Sequence, residues 1–416
     1  MHKKLLIIGF VWPEPKSSAA GSRMLQLIEI FRSQEYQITF SSTCAKFDNA
    51  FDLKSIGVQQ VEIELNDPSF DVFIKELNPD VVLFDRFMTE EQFGWRIAEH
   101  CPNALRILDT EDLHCLRKGR QQAFKDESTL ITIEIDNSYL FNEIAKREIA
   151  SIYRSDITLM ISEAEIEILK TKFKVDKALL HYLPFLLDEV SSESITTLLK
   201  FKERQHFITI GNFMHPPNYD AIVYLKQEIW PLIRQQLPKV ELHIYGAYVS
   251  QKAKQLHNQN EGFFIKGFVE NVNEVMQKSK VCLAPLRFGA GLKGKLIDAM
   301  QSGTPCIMTS IAAEGMFGNL KPNGFITDSS KTFAKKAIEL YSNQEAWEMF
   351  QSNGFKTINN RFIGENFKTV FVNKLEILLS TLKTHRFQNF TGQMLHHHQL
   401  QSTKYMSRWI EEKHKH

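Results

Sequence analysis

Short, almost continuous apolar runs recur along the chain, and longer amphipathic stretches separate them. In the first half these runs are KLLIIGF, YQITFSS, VVLFD, ALRILD and ITLMIS, with segments such as SRMLQLIEIFRSQ between them. A strand that is apolar throughout is buried on both faces, which is typical of a parallel sheet covered by helices on each side. The alternation therefore predicts a doubly wound α/β fold.

The same pattern stops near residue 188 and then starts again. The segment DEVSSESITTLLKFKERQ is polar, and the runs HFITIGNF, VELHIYG, GFFIKGF, VCLAPL, PCIMTS and GFIT follow it. The chain has 416 residues, more than one typical domain holds. We therefore predict a first domain over 1–187, a crossover over 188–205 and a second domain over 206–365. Ligands bind beyond the carboxyl ends of strands in such sheets, so the predicted site is the cleft between the two domains.

Bulk composition excludes several classes of protein. The net charge of +1 and the absence of any nucleic-acid-binding motif predict no nucleic-acid partner. Five scattered cysteines without a C-x-x-C pair favour reduced thiols in a cytoplasmic protein over disulfides or a zinc site. Pro13 and Pro15 interrupt the first apolar run, which indicates a buried strand rather than a signal peptide. No apolar run approaches the roughly 20 residues of a membrane span.

The end of the chain, 384–416, is predicted to be a polar tail. Its LHHHQLQ segment lacks the i, i+4 spacing of helical metal ligands and a nearby cysteine or carboxylate, which favours a solvated tail or surface helix over a metal site. Aromatic and sulfur side chains accompany an excess of basic residues, which favours weak peripheral contact with an anionic membrane. The residues concerned are Lys383, Arg386, Lys404, Arg408, Lys413 and Lys415 against Glu411 and Glu412, with Tyr405, Met406 and Trp409.

The segment PLRFGAGLKGKLIDAM, residues 285–300, places glycines and lysines directly before a predicted helix. It contains G-x-x-x-x-G-K, but Leu296 stands where a P-loop needs Ser or Thr for Mg²⁺. Gly289, Gly291 and Gly294 also satisfy the dinucleotide pattern G-x-G-x-x-G, and Glu314 lies where a ribose-binding acid could follow. That pattern comes late in the chain for a dinucleotide site. A plain strand-to-helix connector is the third interpretation.

The functional interpretations share one physical requirement, which is an anion at this turn. Glycines let backbone N–H groups approach a phosphate, and a helix N-terminus offers unpaired donors and partial positive charge. Lys293 and Lys295 add full charges, and Asp298 lies just inside the helix, where it suits a sugar hydroxyl. The turn therefore predicts a phosphate or diphosphate site.

Four segments together resemble a known family. These are GFVENVNEVMQKSKVCLAPLRFGAGLKGKLIDAMQSGTPCIMTSIAAEGM, ITIGNFMHPPNYDAIVYLKQEIWPLI, RILDTEDLHCLRKGR and REIASIYRSDITLMISEAEIEIL. They resemble bacterial group-1 (family-4-type) retaining glycosyltransferases of GT-B fold, in the subgroup with G-A-G-x-K-G-K, over roughly residues 3–375. The resemblance implies two Rossmann-like domains facing across a cleft, with a helix over 366–383 packing back on the first.

The resemblance also implies an activity. A nucleotide-diphospho-sugar donor would bind the second domain, and a glycan or lipid-linked glycan acceptor would bind the first. Transfer would retain configuration and need no obligatory metal or other cofactor, in the cytoplasm or at the inner membrane face. For the donor it implies Gly211, Asn212, Gly291, Leu292, Lys293, Lys295 and Asp298. For catalysis it implies His114, Asp112 and Lys295, and for the acceptor side Gly21, Ser22, Arg23, Asp109 and Arg117.

One position departs from the family. Many members carry two glutamates separated by seven residues, and here Asp298 matches the second while Ala290 stands at the first. We expect backbone amides near Gly291 to replace the missing carboxylate. Glu148, Asp156, Ser162 and Glu165 also match the family, and we interpret them as structural or cleft-lining, with Ser162 and Glu165 capping a helix. A sugar-nucleotide epimerase, an inactive sugar-nucleotide-binding protein and a dinucleotide oxidoreductase remain the alternatives.

Overall fold

The computed structural model describes residues 2–127 and 133–414, and these form two parallel sheets. The first sheet has seven strands in the order β3-β2-β1-β4-β5-β6-β7. Its strands are β1 (Lys4–Gly9), β2 (Gln37–Ser42), β3 (Gln59–Glu62), β4 (Val81–Asp85), β5 (Leu105–Asp109), β6 (Ile157–Met160) and β7 (Leu180–Tyr182). The second has six in the order β10-β9-β8-β11-β12-β13. Its strands are β8 (Gln205–Ile210), β9 (Leu242–Tyr245), β10 (Phe263–Gly267), β11 (Ser279–Ala284), β12 (Cys306–Met308) and β13 (Gly324–Ile326).

Helices connect the strands and cover both sheets. In the first half they are α1 (Ala19–Ser33), α2 (Ser69–Leu77), α3 (Arg86–His100), α4 (His114–Glu127), α5 (Asn137–Leu140), α6 (Glu143–Arg154), α7 (Glu163–Thr171) and α8 (Ser192–Thr196). In the second half they are α9 (Pro216–Tyr224), α10 (Trp230–Gln236), α11 (Gln251–Lys254), α12 (Val272–Lys278), α13 (Gly294–Gln301), α14 (Ser310–Ala313), α15 (Ser330–Ser342), α16 (Gln344–Arg361), α17 (Gly364–Gln388) and α18 (Phe390–His414). Short 3-10 turns cover Leu53–Ile56, Lys177–Leu179 and Phe201–Glu203, and a π-helical turn covers Leu225–Ile229.

The predicted doubly wound α/β fold is confirmed, because apolar strands are buried on both faces. Successive side chains of a strand point to opposite faces of the sheet. Along β1, Leu5 and Ile7 join one apolar cluster, while Leu6 and Ile8 join another on the opposite face. Neither face of this central strand meets water, which explains why its sequence is apolar throughout.

The chain passes between the sheets twice, and the two passages touch. Leu187, at the end of the first passage, donates its N–H to Phe362 O at 2.8 Å, and Gly364 N donates to Leu187 O at 2.9 Å. After this return, α17 lies on the first domain and buries Phe371 and Leu375 in one of its apolar clusters. The predicted helix over 366–383 thus lies inside a longer helix that covers the first domain.

The segment 384–416 differs from the predicted polar tail. From Phe390 to His414 it is the helix α18, which packs against α3 and α6 of the first domain. Arg96, buried on α3, pairs with Asp71 at 2.6 Å and with Glu411 of α18, while His396 Nε2 lies 2.8 Å from Arg154 O. The polar residues of this helix therefore serve as partners for buried charges. Lys415 lies outside the described residues.

Within residues 2–127 and 133–414, no helix combines the length and apolar character that crossing a membrane requires. The peripheral membrane contact expected from the sequence remains a prediction.

Candidate active site

The carboxyl ends of the two sheets face each other, and two loops meet there. One is the glycine–lysine loop after β11, and the other is the DTEDLH loop after β5. Gly291 has φ +66°, and a Cβ on it would lie only 2.8 Å from Asp112 Cβ. The approach of the two loops therefore requires glycine at 291 for both backbone conformation and space.

The glycine–lysine loop is buried between the domains. Ala290 packs into an apolar cluster of the first domain, whereas Leu292 packs into a cluster of the second. Lys293 occupies the N-cap position of α13, and its Nζ donates to Ala290 O at 3.0 Å and to Gly291 O at 2.5 Å. Lys293 thus stabilises the conformation of the loop by hydrogen bonds to the loop's own carbonyl groups.

Lys295 reaches out of the loop toward the second donor-side segment. Its Nζ donates to Asn218 Oδ1 at 2.9 Å, at the start of α9. Burial lowers the pKa of Lys295 to about 8. Burial also raises the pKa of Asp298 to about 7, although the attraction of Lys295 acts against the rise. The predicted donor residues of α13 therefore form one partly desolvated, interacting pair.

The loop after β8 lies beside Lys295, and polar groups within this loop hydrogen-bond to one another. Asn212 Oδ1 accepts from Met214 N at 2.8 Å, and Asn218 Nδ2 donates to Asn212 O at 3.1 Å. Gly211 O sits 2.0 Å from where a Cβ on Gly246 would be, so this loop packs tightly on the end of β9. Asn212 Oδ1 therefore stabilises the turn, and the contact of Asn212 with a donor stays a prediction.

His114, Asp112 and Arg117 lie together as predicted, at the start of α4. His114 Nδ1 is 3.4 Å from Asp112 Oδ1 and 3.5 Å from Glu148 Oε1. Arg117 Nη1 donates to Asp112 Oδ2 at 2.5 Å. Burial opposes ionisation of Asp112, but Arg117, His114 and His215 outweigh it and lower the pKa of this carboxyl. Asp112 is therefore a fixed negative charge beside an imidazole.

His215 approaches the same group from the second domain. Burial lowers the pKa of His215 to about 4, and the positive charges of Arg117, Lys295 and Lys293 add to the effect. His215 is consequently neutral at physiological pH. Its partners are not evident from the sequence, because the charged groups around it come from two distant segments, at residues 112–117 and 293–295.

Two buried glutamates organise the DTEDLH loop. Glu148 accepts from the backbone N–H groups of His114 and Cys115, each at 3.0 Å, and so caps α4. Glu165 accepts from Leu113 N at 3.3 Å and from Gly291 N at 2.6 Å. Ser162 occupies the predicted N-cap position of α7 but makes no side-chain cap bond, and Glu165 joins the two domains instead of capping this helix.

Arg120 forms a second link between the domains. Its two terminal nitrogens donate to the two carboxylate oxygens of Glu314, each at 2.7 Å, and Nη1 also donates to Gly289 O at 2.9 Å. Glu314 is the acid that a dinucleotide interpretation would assign to a ribose. Its carboxylate is instead fully engaged by Arg120, which counts against that interpretation.

Four of the residues predicted on the acceptor side have structural roles instead. Arg23 and Asp109 are 1% and 0% exposed and pair with each other at 2.9 Å, and Arg23 also donates to Leu183 O at 2.7 Å. A Cβ on Gly21 would lie 2.4 Å from the Glu14 backbone. Ser22 Oγ donates to Pro15 O at 3.0 Å. Arg23 and Asp109 therefore bind each other inside the first domain, their contact with an acceptor stays a prediction, and of this set Arg117 stays at the cleft.

A neighbouring polar group was not predicted from the sequence. Arg86 directly follows β4 and Glu111 lies two residues beyond β5, with φ of +69° and +63°, a left-handed conformation that is costly for residues other than glycine. The Arg86 guanidinium lies 5.1 Å from the Phe10 ring centroid, and Asp85 accepts from Phe10 N at 3.0 Å. Burial raises the pKa of Glu111 to about 8. The position of these residues just after a strand could have indicated them from the sequence, but their backbone strain is visible only in the structure.

His206, Glu241 and His243 lie together at the other end of the second sheet. His243 Nε2 is 2.7 Å from Glu241 Oε2, and the three side chains are close enough to share a metal ion. They lie at the amino ends of β8 and β9, away from the cleft. This group therefore takes no part in the site described here.

Part of the sequence and the whole fold are similar to those of known proteins. Residues 204–343 match the protein family described as glycosyl transferases group 1. Sucrose-phosphate synthase from Thermosynechococcus elongatus superposes with a TM-score of 0.68 and 14% identity, covering 91% of this chain and 100% of that one. The fold is GT-B. HepE of Anabaena, solved with UDP-glucose, gives a TM-score of 0.62 and 14% identity over 91% of this chain and 100% of that one.

Sequence similarity to a curated protein is more limited. An uncharacterised 44.6 kDa protein of the cps region of Klebsiella pneumoniae is 26% identical over 171 residues. That match covers 39% of this chain and 43% of the relative, so it spans less than half the length of the curated protein. In the GT-B fold, the glycine–lysine loop belongs to the second domain and the DTEDLH loop to the first.

Proposed function

We propose that the chain is a glycosyltransferase that transfers a sugar, with retention of configuration, from a nucleotide-diphospho-sugar to a glycan or lipid-linked glycan. One observation carries the proposal: the glycine–lysine loop of the second GT-B domain lies directly against the DTEDLH loop of the first, so close that a Cβ on Gly291 would lie 2.8 Å from Asp112 Cβ. The match of residues 204–343 to group 1 glycosyl transferases supports it.

The donor diphosphate would bind where α13 begins. This helix offers unpaired backbone N–H groups, and Lys295 supplies a cation beside them. Negative charge grows on the diphosphate as the sugar departs, so fixed positive groups favour the transition state over the ground state. Asp298, one turn along the helix from Lys295, is our candidate for a ribose hydroxyl.

The first domain would hold the transferred sugar and the acceptor. His114 Nδ1 lies 3.2 Å from the backbone oxygen of Asp112 and 3.4 Å from its Oδ1, and we assign His114 as a hydrogen-bonding group for the sugar. Arg117, Arg86, Glu111 and the exposed ring of Phe10 are our candidates for acceptor contacts, because they surround the same strand ends. We propose no obligatory metal, since the residues at the diphosphate position are cations rather than carboxylate ligands.

The cellular role that suits these features is polysaccharide synthesis in the cytoplasm or at the inner membrane face. The relative encoded in a cps region supports this proposal. Structures of HepE hold UDP, UDP with glucose, and UDP-glucose, so uracil nucleotides are the first donors to test.

Donor binding should raise the melting temperature. We expect UDP or GDP, or a nucleotide-sugar such as UDP-glucose, to stabilise the protein, whereas NAD, FAD and ATP should not. A ligand at 100 times its Kd adds about 2.7 kcal/mol to the free energy of unfolding. Differential scanning fluorimetry with this panel checks the expectation, and a shift with NAD alone would refute the proposed function. Release of free nucleotide without an acceptor would favour the epimerase, and binding without turnover would favour the inactive binding protein.

Loss of the His114 imidazole should affect turnover more than donor affinity. His114→Ala should lower kcat roughly tenfold, the value of about one hydrogen bond, with little change in the Kd for UDP. The reason is that His114 belongs to the domain that does not hold the nucleotide. Steady-state kinetics and calorimetry with UDP measure the two quantities separately. If the variant lost UDP binding and kept kcat, the assignment of the two domains would be reversed.

A further inference from the structure

Arg120 is a buried cation that the first domain places against the glycine–lysine loop of the second. It lies on α4 and is 3% exposed. Its Nη1 donates to Gly289 O at 2.9 Å, inside the glycine–lysine loop, and its two terminal nitrogens each donate to one carboxylate oxygen of Glu314 at 2.7 Å. Nη2 also donates to Ile133 O at 2.6 Å. One side chain of the first domain therefore binds two separate segments of the second.

The carboxylate of Glu314 lies beside the ammonium of Lys293. Glu314 directly follows α14 and is 9% exposed. Burial lowers the pKa of Lys293, the negative charge of Glu314 opposes that change, and the positive charge of Arg120 adds to it. A carboxylate this close to the proposed diphosphate position repels an anionic ligand unless a cation neutralises it. The bidentate pair with Arg120 supplies that cation.

Lys293 is the nearest alternative partner for Glu314. Its Nζ donates to Ala290 O and Gly291 O, and within residues 2–127 and 133–414 it forms no ion pair. Without Arg120, the freed carboxylate would attract this ammonium and draw it away from the two carbonyl groups that shape the loop. Arg120 therefore keeps Glu314 and Lys293 apart.

We propose that Arg120 is a positioning residue for the donor. From the first domain it holds Gly289 and neutralises Glu314, so that the glycine–lysine loop keeps the shape and the positive charge that a diphosphate requires. The ligand class is a nucleoside diphosphate or a nucleotide-diphospho-sugar, and the inference rests on the proposed function. Because Arg120 reaches this loop only when the domains are in contact, domain contact and donor binding favour each other.

The test removes the cation of Arg120 and then the carboxylate that it neutralises. Arg120→Met keeps the length of the side chain but leaves Glu314 without a partner. We expect the Kd for UDP, or for GDP if the protein prefers guanine, to rise about tenfold, the value of a lost charge-assisted interaction. Adding Glu314→Gln to the same protein removes the freed charge and should return the Kd to within about threefold of the natural value. Isothermal titration calorimetry measures each Kd.

Arg154 is the matched control for loss of a buried cation. It lies on α6 and pairs with Glu90 at 2.5 Å inside the first domain, and both residues are buried. Arg154→Met should lower the melting temperature, because it leaves the Glu90 carboxylate buried without its partner. The Kd for UDP should stay within about twofold of the natural value, since this pair does not touch the glycine–lysine loop.

A rise in Kd with Arg120→Met that Glu314→Gln reverses supports the inference. An unchanged Kd, a rise that Glu314→Gln fails to reverse, or an equal rise with Arg154→Met would overturn it. If Arg120→Met does not fold, Arg120→Lys takes its place. A single ammonium cannot bridge both Glu314 and Gly289, so the Kd for UDP should rise about threefold, and an unchanged Kd would again overturn the inference.

Failure of the proposed function is a different result, visible before any substitution. If the natural protein binds neither UDP nor GDP nor UDP-glucose, the proposed function is wrong and the inference falls with it. If the natural protein binds one of them and Arg120→Met binds it equally well, the inference alone is wrong.

Discussion

Replacing Arg23 with alanine is expected to destabilise the first domain by about 3–5 kcal/mol, because it leaves the carboxylate of Asp109 buried without its partner. Asp109 is 0% exposed and receives hydrogen bonds from Arg23 at 3.1 Å and 2.9 Å. Burial raises the pKa of this carboxyl even with Arg23 in place. Arg23 also donates to the backbone of Leu183, so its loss frees a strand end of the sheet as well.

Arg32 provides the matched control for this substitution. It lies on the same helix, α1, but its ion pair with Glu29 is solvent-exposed at both ends. Exposed pairs of this kind contribute about 0.2–1 kcal/mol, so Arg32→Ala should barely move the urea midpoint. Urea denaturation followed by circular dichroism compares the two variants. If Arg23→Ala kept the natural midpoint and weakened only acceptor binding, the role first predicted from the sequence would be the correct one.

In the first sheet, the sequence predicted the central strands better than the edge strands. The central strands are buried on both faces, so their apolar runs are unmistakable, as in VVLFD of β4. The edge strands β3 and β7 were not predicted, because QQVE and LHY are partly exposed and carry polar residues. An edge strand has one neighbour and more contact with water, which removes the compositional signal on which the prediction depends.

The site could be predicted in part, for a related reason. Position after a strand identified His114, Asp112 and Lys295, since functional side chains gather at the carboxyl ends of parallel strands. The same rule also selected Arg23 and Asp109, because it does not distinguish a side chain that faces the cleft from one that a partner buries. Arg120 was not selected, because its contact with Glu314 lies 194 residues away along the chain, in the other domain.

The two lysines of the glycine–lysine loop should contribute unequally to the reaction. Lys293 Nζ is turned inward to the carbonyl groups of its own loop, whereas Lys295 Nζ spans to Asn218 across the proposed diphosphate position. We expect Lys295→Ala to lower kcat/KM for the donor about ten- to hundredfold, the value of a charge-assisted hydrogen bond. Part of the loss should appear in kcat, because charge on the leaving diphosphate grows in the transition state. Lys293→Ala should cost less.

The pH dependence of the reaction offers a sharper test of Lys295. Its pKa, lowered by burial to about 8, means that the ammonium carries its charge below pH 8 and loses it as the pH rises further. Donor kcat/KM should therefore fall above about pH 8 in the natural protein. Lys295→Arg should keep its charge and move this decline to higher pH, since a guanidinium stays protonated. Asp298→Ala, by contrast, should weaken nucleotide binding without removing the alkaline decline. If Lys293→Ala and Lys295→Ala both kept natural kinetics across this pH range, the loop would be a connector between a strand and a helix, and the diphosphate would have to bind elsewhere.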